Sequence, residues 1–311
     1  MQFNQLEQFC SMARHQHISK AAAELYVSQP TLSLNLARLE EELGVPLFDR
    51  VGRNIILNDY GKIFYYHAKQ VLKSIEFAKR EIEDLSMTSR TPVVFADALF
   101  NDIYLILEEY LLLNSDVKVI HLELTISDIL SKLESGEIQF GIVVKQKGHD
   151  FGNIFKWKLL LDTELMVLMH RSNALADMGS INLTDLEQED FMCAIKGFDT
   201  RDAFDSYCKD AGVTPRYKYT STKPYLFNEL TRKYGYVSIM SKIIYDSRET
   251  PTKDLIGIKQ DISDMVALKI KDPVCLVEFG ILTNKNYYLS NETRKIIDYI
   301  VRYFQENAGL F

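Results

Sequence analysis

The sequence predicts an α/β protein in which one long helix joins two functional halves. Three observations carry this. Residues 3–43 hold short amphipathic helices, two of them joined by a three-residue link. Residues 64–85 hold a heptad of apolar side chains uninterrupted by Gly or Pro. From Val93 onward, apolar strand patterns alternate with helical ones, the pattern of a mainly parallel sheet with crossover helices.

Phe3, Leu6, Phe9 and Ala13 recur at helical spacing and predict a first helix. Ser19 is the expected cap of a second, Lys20–Leu25, whose run of alanines permits close packing. After Tyr26-Val27, Ser28 caps a third helix with Pro30 in its first turn. Gly44 stops it and Pro46 follows. Leu32, Leu36, Leu39 and Leu43 form its inward stripe, which completes a helix-turn-helix. At 100° per residue, Pro30, Leu34, Arg38 and Glu41 lie opposite that stripe, flanked by Thr31 and Ala37. Gln29 can pair bidentately with adenine, while Thr31 and Ser33 suit bases or phosphates. Leu47-Phe48 and Ile55–Leu57 then read as a hairpin wing, with Arg50 and Arg53 at its tip to reach phosphate or the minor groove.

The heptad runs Phe64, Ala68, Val71, Ile75, Ala78, Ile82, Leu85. Such a seam wants a partner helix along its length, so these residues are the expected dimerisation face. Ser86–Pro92 breaks the helix as a hinge. Beyond it the pattern gives strands at Val93–Ala96, Val117–Leu124, Phe140–Val144, Lys158–Leu161, Leu165–Met169, Tyr236–Met240 and Val274–Leu282. Helices fall at Asn101–Leu113, Asp128–Glu134 capped by Ser127, and Arg201–Ala211 capped by Thr200. Two more follow, one opened by Pro224 and one at Glu292–Gln305 capped by Ser290.

Composition narrows the function. The chain holds 36 Lys+Arg against 43 Asp+Glu, net −7. Residues 1–90 hold 11 of each, so the N-terminal part is the less acidic one, and DNA binding must rest on the placement of a few charges. No apolar run approaches the ~20 residues of a membrane span, and Met1–Glu7 does not read as a signal peptide. Cys10, Cys193, Cys208 and Cys275 are scattered, as expected of thiols in a reducing cytoplasm. Cys10, His15 and His17 lack a fourth metal ligand and read as packing and surface residues. No metal site or cofactor is expected. GxGxxG, P-loop, GxSxG and HExxH patterns are missing, so no enzyme is expected.

The ordered series Leu6-Glu-Gln-Phe9, Ile18-Ser-Lys-Ala-Ala-Ala-Glu-Leu25, Ser28-Gln-Pro-Thr-Leu-Ser33 and Leu39-Glu-Glu-Glu-Leu43-Gly-Val-Pro-Leu47-Phe-Asp-Arg50 resembles the LysR-type transcriptional regulators. The resemblance implies a winged helix-turn-helix over 1–58 and a linker helix and hinge over 59–89. An effector domain similar to periplasmic binding proteins would occupy 90–311, with lobe I at 90–161 and 268–311 and lobe II at 162–267. It implies double-stranded operator DNA and a small-molecule effector as partners. It also implies a homodimer, often extended to a homotetramer. By match, Gln29, Pro30, Ser33, Arg50 and Arg53 take DNA-contact roles, with Ser28, Thr31, Leu34 and Arg38 on the same face. Leu34 stands where the family usually has a basic residue, and a leucine there suits a thymine methyl.

Transferred by position, the effector pocket takes Asp97, Ala98, Leu99, Thr125, Ser127, Lys145, Lys196, Phe198, Thr200, Tyr236 and Ser238. Asp97 replaces a small hydroxyl residue, which points to a cationic, zwitterionic or polar effector. A redox mode would need a reactive cysteine near Arg201, where the chain instead has Gly197-Phe-Asp-Thr200. Two alternatives stay open: a ligand-binding protein whose N-terminal helices contact protein, and an enzyme on the two-lobed domain.

Overall fold

The computed structural model describes residues 1–52, 54–86, 91–98, 103–222, 227–242 and 263–307. The chain forms two compact units, Met1–Ser89 and Arg90–Phe311.

The first unit holds helices α1 (Phe3–His15), α2 (Ile18–Glu24) and α3 (Gln29–Leu43), a hairpin of β1 (Phe48–Val51) and β2 (Asn54–Leu57), and the 27-residue α4 (Asp59–Leu85). Its core forms around Phe9, whose ring meets those of Phe48 (5.4 Å between centroids), Phe64 (5.0 Å) and Tyr65 (6.3 Å). Leu32, Leu36 and Leu39 are buried as the stripe predicts, but Leu43 at the helix end is exposed. Ser28 caps α3 by accepting from the Thr31 N–H at 3.3 Å, and Gly44 ends it at φ +73°. Ser19 does not cap α2: the helix starts two residues earlier, after His17, and Ser19 sits inside its first turn.

Asn58 ties α4 to the wing. Its side chain accepts from the Gly61 N–H at 2.9 Å and donates to the Pro46 carbonyl at 2.8 Å. Gly61 is packed so closely that an added Cβ would lie 2.0 Å from the Leu47 carbonyl oxygen. The heptad divides between two tasks. Ala68 is buried in the N-terminal core, and Phe64, Tyr65 and Leu72 pack against that core from their half-buried positions. These side chains occupy the α4 face turned to α1, because Phe9 needs hydrocarbon on that side. Val71, Ala78, Ile82 and Leu85 are left exposed, Ile82 at 66%, with Ile75 half-buried. Phe64 and Ala68 are therefore covered within the chain, and the heptad residues left accessible start at Val71. Residues 87–90 of the expected hinge lie outside the described residues.

The second unit runs β3 (Val93–Asp97), α5 (Ile103–Leu113), β4 (Val119–Glu123), α6 (Ile126–Ser135), β5 (Phe140–Gln146) and β6 (Phe155–His170). It continues through β7 (Ser180–Asn182), β8 (Asp190–Ala194), α7 (Asp199–Asp210), β9 (Arg216–Ser221), α8 (Phe227–Tyr234), β10 (Val237–Ser241), β11 (Met265–Asp272) and β12 (Leu276–Asn284), and ends on α9 (Asn291–Glu306). Strands follow the order β4-β3-β5-β12-β6-β10-β8-β9, with β11 pairing β6 and β7. β3, β4 and β5 are parallel, as are β8, β9 and β10.

The two strands expected at 158–161 and 165–169 are one. β6 pairs β12 from Phe155 to Glu164, then β10 and β11 from Leu165 onward, so it threads both lobes. The polar break that splits the pattern is satisfied by ion pairs, Asp162 with Lys147 at 3.1 Å and Glu164 with Lys269 at 2.9 Å. Because β11 pairs β7 as far as Asp272, Leu268–Asp272 stay with the second lobe, and the return to the first falls after Asp272. Pro224 lies outside the described residues, and α8 is described from Phe227.

Replacing Gly61 with Ala forces the Leu47 backbone aside and costs about 1–3 kcal/mol, as overpacking does. Thermal unfolding will show it as a lowered transition. An unchanged transition would mean that the α4–wing junction gives way freely.

Candidate functional site

In the first unit, an exposed face surrounds the start of α3. Gln29, Pro30, Thr31, Leu34 and Arg38 are exposed, Leu34 at 52%, and Ser33 is half-buried. The Ser28 and Thr31 hydroxyls lie 2.7 Å apart in a mutual hydrogen bond. The Ser19 hydroxyl donates to the Gln29 carboxamide oxygen at 2.8 Å, which sets the direction of that side chain and leaves its NH2 as a donor. Ser19 thus has a role other than capping. Arg50 is exposed on β1, and Arg53 lies outside the described residues. Tyr26, left unassigned in the sequence, is 97% exposed in the turn before α3, at φ +54°. Only its place in the link could have marked it.

The helices behind this face are fixed by polar contacts. Asn35 of α3 donates to Gln8 of α1 at 2.9 Å. Glu24 of α2 accepts from the Ser11 hydroxyl and lies 3.3 Å from Arg14 and 3.1 Å from His15, all on α1. The Ser11 hydrogen bond, then Arg14 and His15, hold its carboxyl below the ordinary 4.5 against a smaller opposing effect of desolvation.

In the second unit the expected effector residues fall into separate environments. Thr125, not Ser127, caps α6, accepting from the Asp128 N–H at 3.2 Å. Ser127 is exposed, its hydroxyl 3.1 Å from that of Thr125. The Ile126 N–H donates to the Gly197 carbonyl at 2.8 Å, so the loop of the second lobe closes on the α6 start. Phe198 is the N-cap position of α7, so Thr200 lies inside that helix rather than before it. The Phe198 ring is buried in a cluster with Ala98, Ile129 and Ala194, and Trp157 and Phe151 pack at its edge. Hydrocarbon thus fills the junction of the lobes. Lys196 beside it is exposed.

Asp97 is 2% exposed and hydrogen-bonded to His121, whose ring stacks on Phe95 at 4.7 Å. Its carboxylate is buried and hydrogen-bonded within the protein, so it does not stand open to a ligand. The neighbouring Glu123 carboxyl is pushed up, first by desolvation and then by Asp97. Lys145 is likewise committed: buried, 2.7 Å from Glu278, donating to the His149 carbonyl at 2.7 Å and lying 5.1 Å from the Trp157 ring centroid. Tyr236 stacks on Tyr234 at 5.5 Å. Ser238 is buried between β6 and β8, and neither its hydroxyl nor that of Ser241 finds a partner among the described residues. Ser241 pairs Leu165, where β6 changes lobes, a position only the strand register reveals. Leu99 lies outside the described residues.

All four cysteines are buried. Desolvation pushes Cys10 to about 11 and Cys193, Cys208 and Cys275 to about 12. Thiols so held are protonated and poorly nucleophilic at neutral pH, which counts against the redox mode. Among the described residues, no group of three or more His, Cys, Asp or Glu is placed to hold a metal ion, and no helix is long and apolar enough to cross a membrane.

A winged helix-turn-helix with an exposed polar recognition face, followed by a two-lobed α/β domain, defines a class of ligand-regulated DNA-binding proteins. Residues 3–62 match the bacterial regulatory helix-turn-helix of the lysR family, and residues 102–251 match the LysR substrate binding domain. The HTH-type transcriptional regulator YybE of Bacillus subtilis is 30% identical over 98% of this chain and all of its own length. A full-length OxyR variant from Pseudomonas aeruginosa superposes with TM-score 0.63 at 19% identity, covering 98% of this chain and 95% of that one. Full-length CbnR in complex with its target DNA gives 0.60 at 19% identity, covering 98% and 100%. The chain belongs to the LysR family of transcriptional regulators. It is a DNA-binding regulator that carries an effector-binding domain.

The Glu24 contacts stabilise the first unit above about pH 4.5, the unfolded value, and that contribution is lost as pH falls through the lower folded value. Glu24→Gln will therefore lower the melting temperature between pH 5 and 8, as roughly set by carboxylate titration, with the gap to wild type closing towards pH 3. A pH-independent gap would contradict this assignment.

Proposed function

We propose that two copies of the chain pair along the seam Val71, Ile75, Ala78, Ile82 and Leu85, and that each presents α3 to a major groove of one operator duplex. The exposed recognition face, built on the buried leucines of α3, is the observation that carries this reading. In it, Gln29 donates to a base edge, with its direction set by Ser19. Ser33, Thr31 and Ser28 meet bases or phosphates at the helix start, where free N–H groups favour an anion. Arg38, Arg50 and Arg53 supply phosphate or minor-groove contacts. Leu34 sets specificity through a thymine methyl. The dimer pairs further into a tetramer, and the protein acts in the cytoplasm, by binding rather than turnover.

The effector enters at the lobe junction, among Ala98, Thr125, Ser127, Lys196 and Phe198, at the start of α7 that carries Thr200. Asp97 and Lys145 support the walls through His121 and Glu278 instead of meeting the ligand directly. A ligand that displaces the Phe198 ring binds one lobe arrangement better than the other and so shifts the population of DNA-bound geometries. Screening metabolites by thermal shift, then footprinting with the best hit, identifies it.

Two variants test the DNA half. Ile82→Asp places an unpaired carboxylate at the seam, at a cost of several kcal/mol. Sedimentation will show monomers, and operator affinity will fall by about 100-fold or more. Leu34→Arg will change the half-site recovered from random DNA, with about 1–3 kcal/mol of discrimination moving from thymine to guanine at one position. An unchanged oligomer, or the same motif from both proteins, would refute the corresponding assignment.

A further inference from the structure

The end of the first lobe that lies away from the lobe junction carries a cavity of about 400 Å³. In the β6–β12 ladder Glu164 pairs Leu276 near the junction, whereas Phe155 pairs Asn284 at the opposite end, and the cavity opens there. Lys156 at the start of β6, Lys285 after β12 and Arg294 in the first turns of α9 contribute its charge, with Tyr287 and Tyr288 as walls. No Asp or Glu among the described residues lines it.

Nearby cations are neutralised and these are not. Lys158 pairs Asp298 at 3.4 Å, and Lys295 pairs Glu292 at 3.2 Å. Lys285 donates to the Asn153 carbonyl at 3.0 Å, a neutral acceptor. The Arg294 guanidinium carbon lies over the Tyr288 ring, 5.1 Å from its centroid, and neither Arg294 nor Lys156 meets a carboxylate among the described residues. Three cations thus line one cavity with no carboxylate beside them among the described residues, and like charges at one site repel one another, in a chain whose net charge is −7. The walls are held in place: the Tyr287 hydroxyl donates to the Glu134 carbonyl, and the Asn284 amide to the Leu133 carbonyl at 3.1 Å. The volume falls within the range of small-molecule pockets.

We propose that this cavity is a second ligand site, separate from the lobe junction, for a small molecule bearing phosphate or carboxylate groups. The cation–π contact with Tyr288 leaves the N–H donors of Arg294 for bidentate contact with two anionic oxygens. Lys156 and Lys285 act as flanking point charges, and the tyrosine rings cover the ligand body.

The test titrates the full-length protein with inorganic phosphate, a hexose phosphate and citrate, against sodium chloride at matched ionic strength. Binding is read by calorimetry, and by the rate at which an amine-reactive reagent labels each lysine. The expected result is saturable binding of one molecule per chain by a phosphate or the tricarboxylate. Labelling of Lys156 and Lys285 slows while that of exposed Lys271 does not. The phosphate and citrate arms decide which anion is preferred. The double variant Lys156→Gln with Arg294→Gln will weaken binding by about tenfold or more. Both side chains are exposed, and circular dichroism checks that the variant folds. Equal affinity in variant and wild type, or a response that follows ionic strength alone, would each overturn the proposal.

Discussion

The packing of Phe9 constrains the whole DNA-binding unit. Its ring lies against β1 through Phe48 and against α4 through Phe64 and Tyr65. The same core holds the leucine stripe of α3. Four elements consequently share one centre, and the recognition helix has a fixed direction relative to the long helix. Interiors packed at crystal density do not deform continuously, so a change of direction in the long helix carries the recognition face with it. In the proposed dimer, that coupling makes the seam on α4 set the spacing of the two recognition helices. It also explains why Phe64 and Ala68 leave the seam: the hydrocarbon around Phe9 claims them first.

In the second unit the comparable constraint is β6. One strand of 16 residues pairs β12 in the first lobe and β10 and β11 in the second. A shared strand permits the lobes to bend about Asp162–Glu164 without breaking the ladder on either side. Against that freedom stand the Ile126–Gly197 hydrogen bond and the Phe198 ring, both local to the junction. A ligand entering there competes with hydrocarbon contacts worth a few kcal/mol for a buried aromatic ring, which is the scale of an effector-driven shift in population.

Local signals made the N-terminal half legible. Cap, stripe and stop lie within one helix length, so Ser28, the three inward leucines and Gly44 could be assigned from spacing alone. Ser19, Ser127 and Thr200 show where such signals mislead. Each is a hydroxyl near a helix start, yet His17, Thr125 and Phe198 hold the cap positions. The divided reading of β6 has a similar origin. Asp162 and Glu164 look like a break until Lys147 and Lys269, distant in sequence, are seen to pair with them. The partners of Asp97 and Lys145 also lie elsewhere in the chain, at His121 and Glu278, so no local pattern reveals these contacts. The cationic cavity joins the start of β6 to the start of α9, residues more than a hundred apart, and no local pattern announces it.

Hydroxyl-radical footprinting on an operator fragment tests the central claim most directly, that rigidly oriented recognition helices of two paired copies grip a single duplex. Two protected patches are expected on one face of the DNA, separated by about one helical turn or a multiple of it, appearing together as protein is added. A single short patch that fills independently of any second one would contradict it.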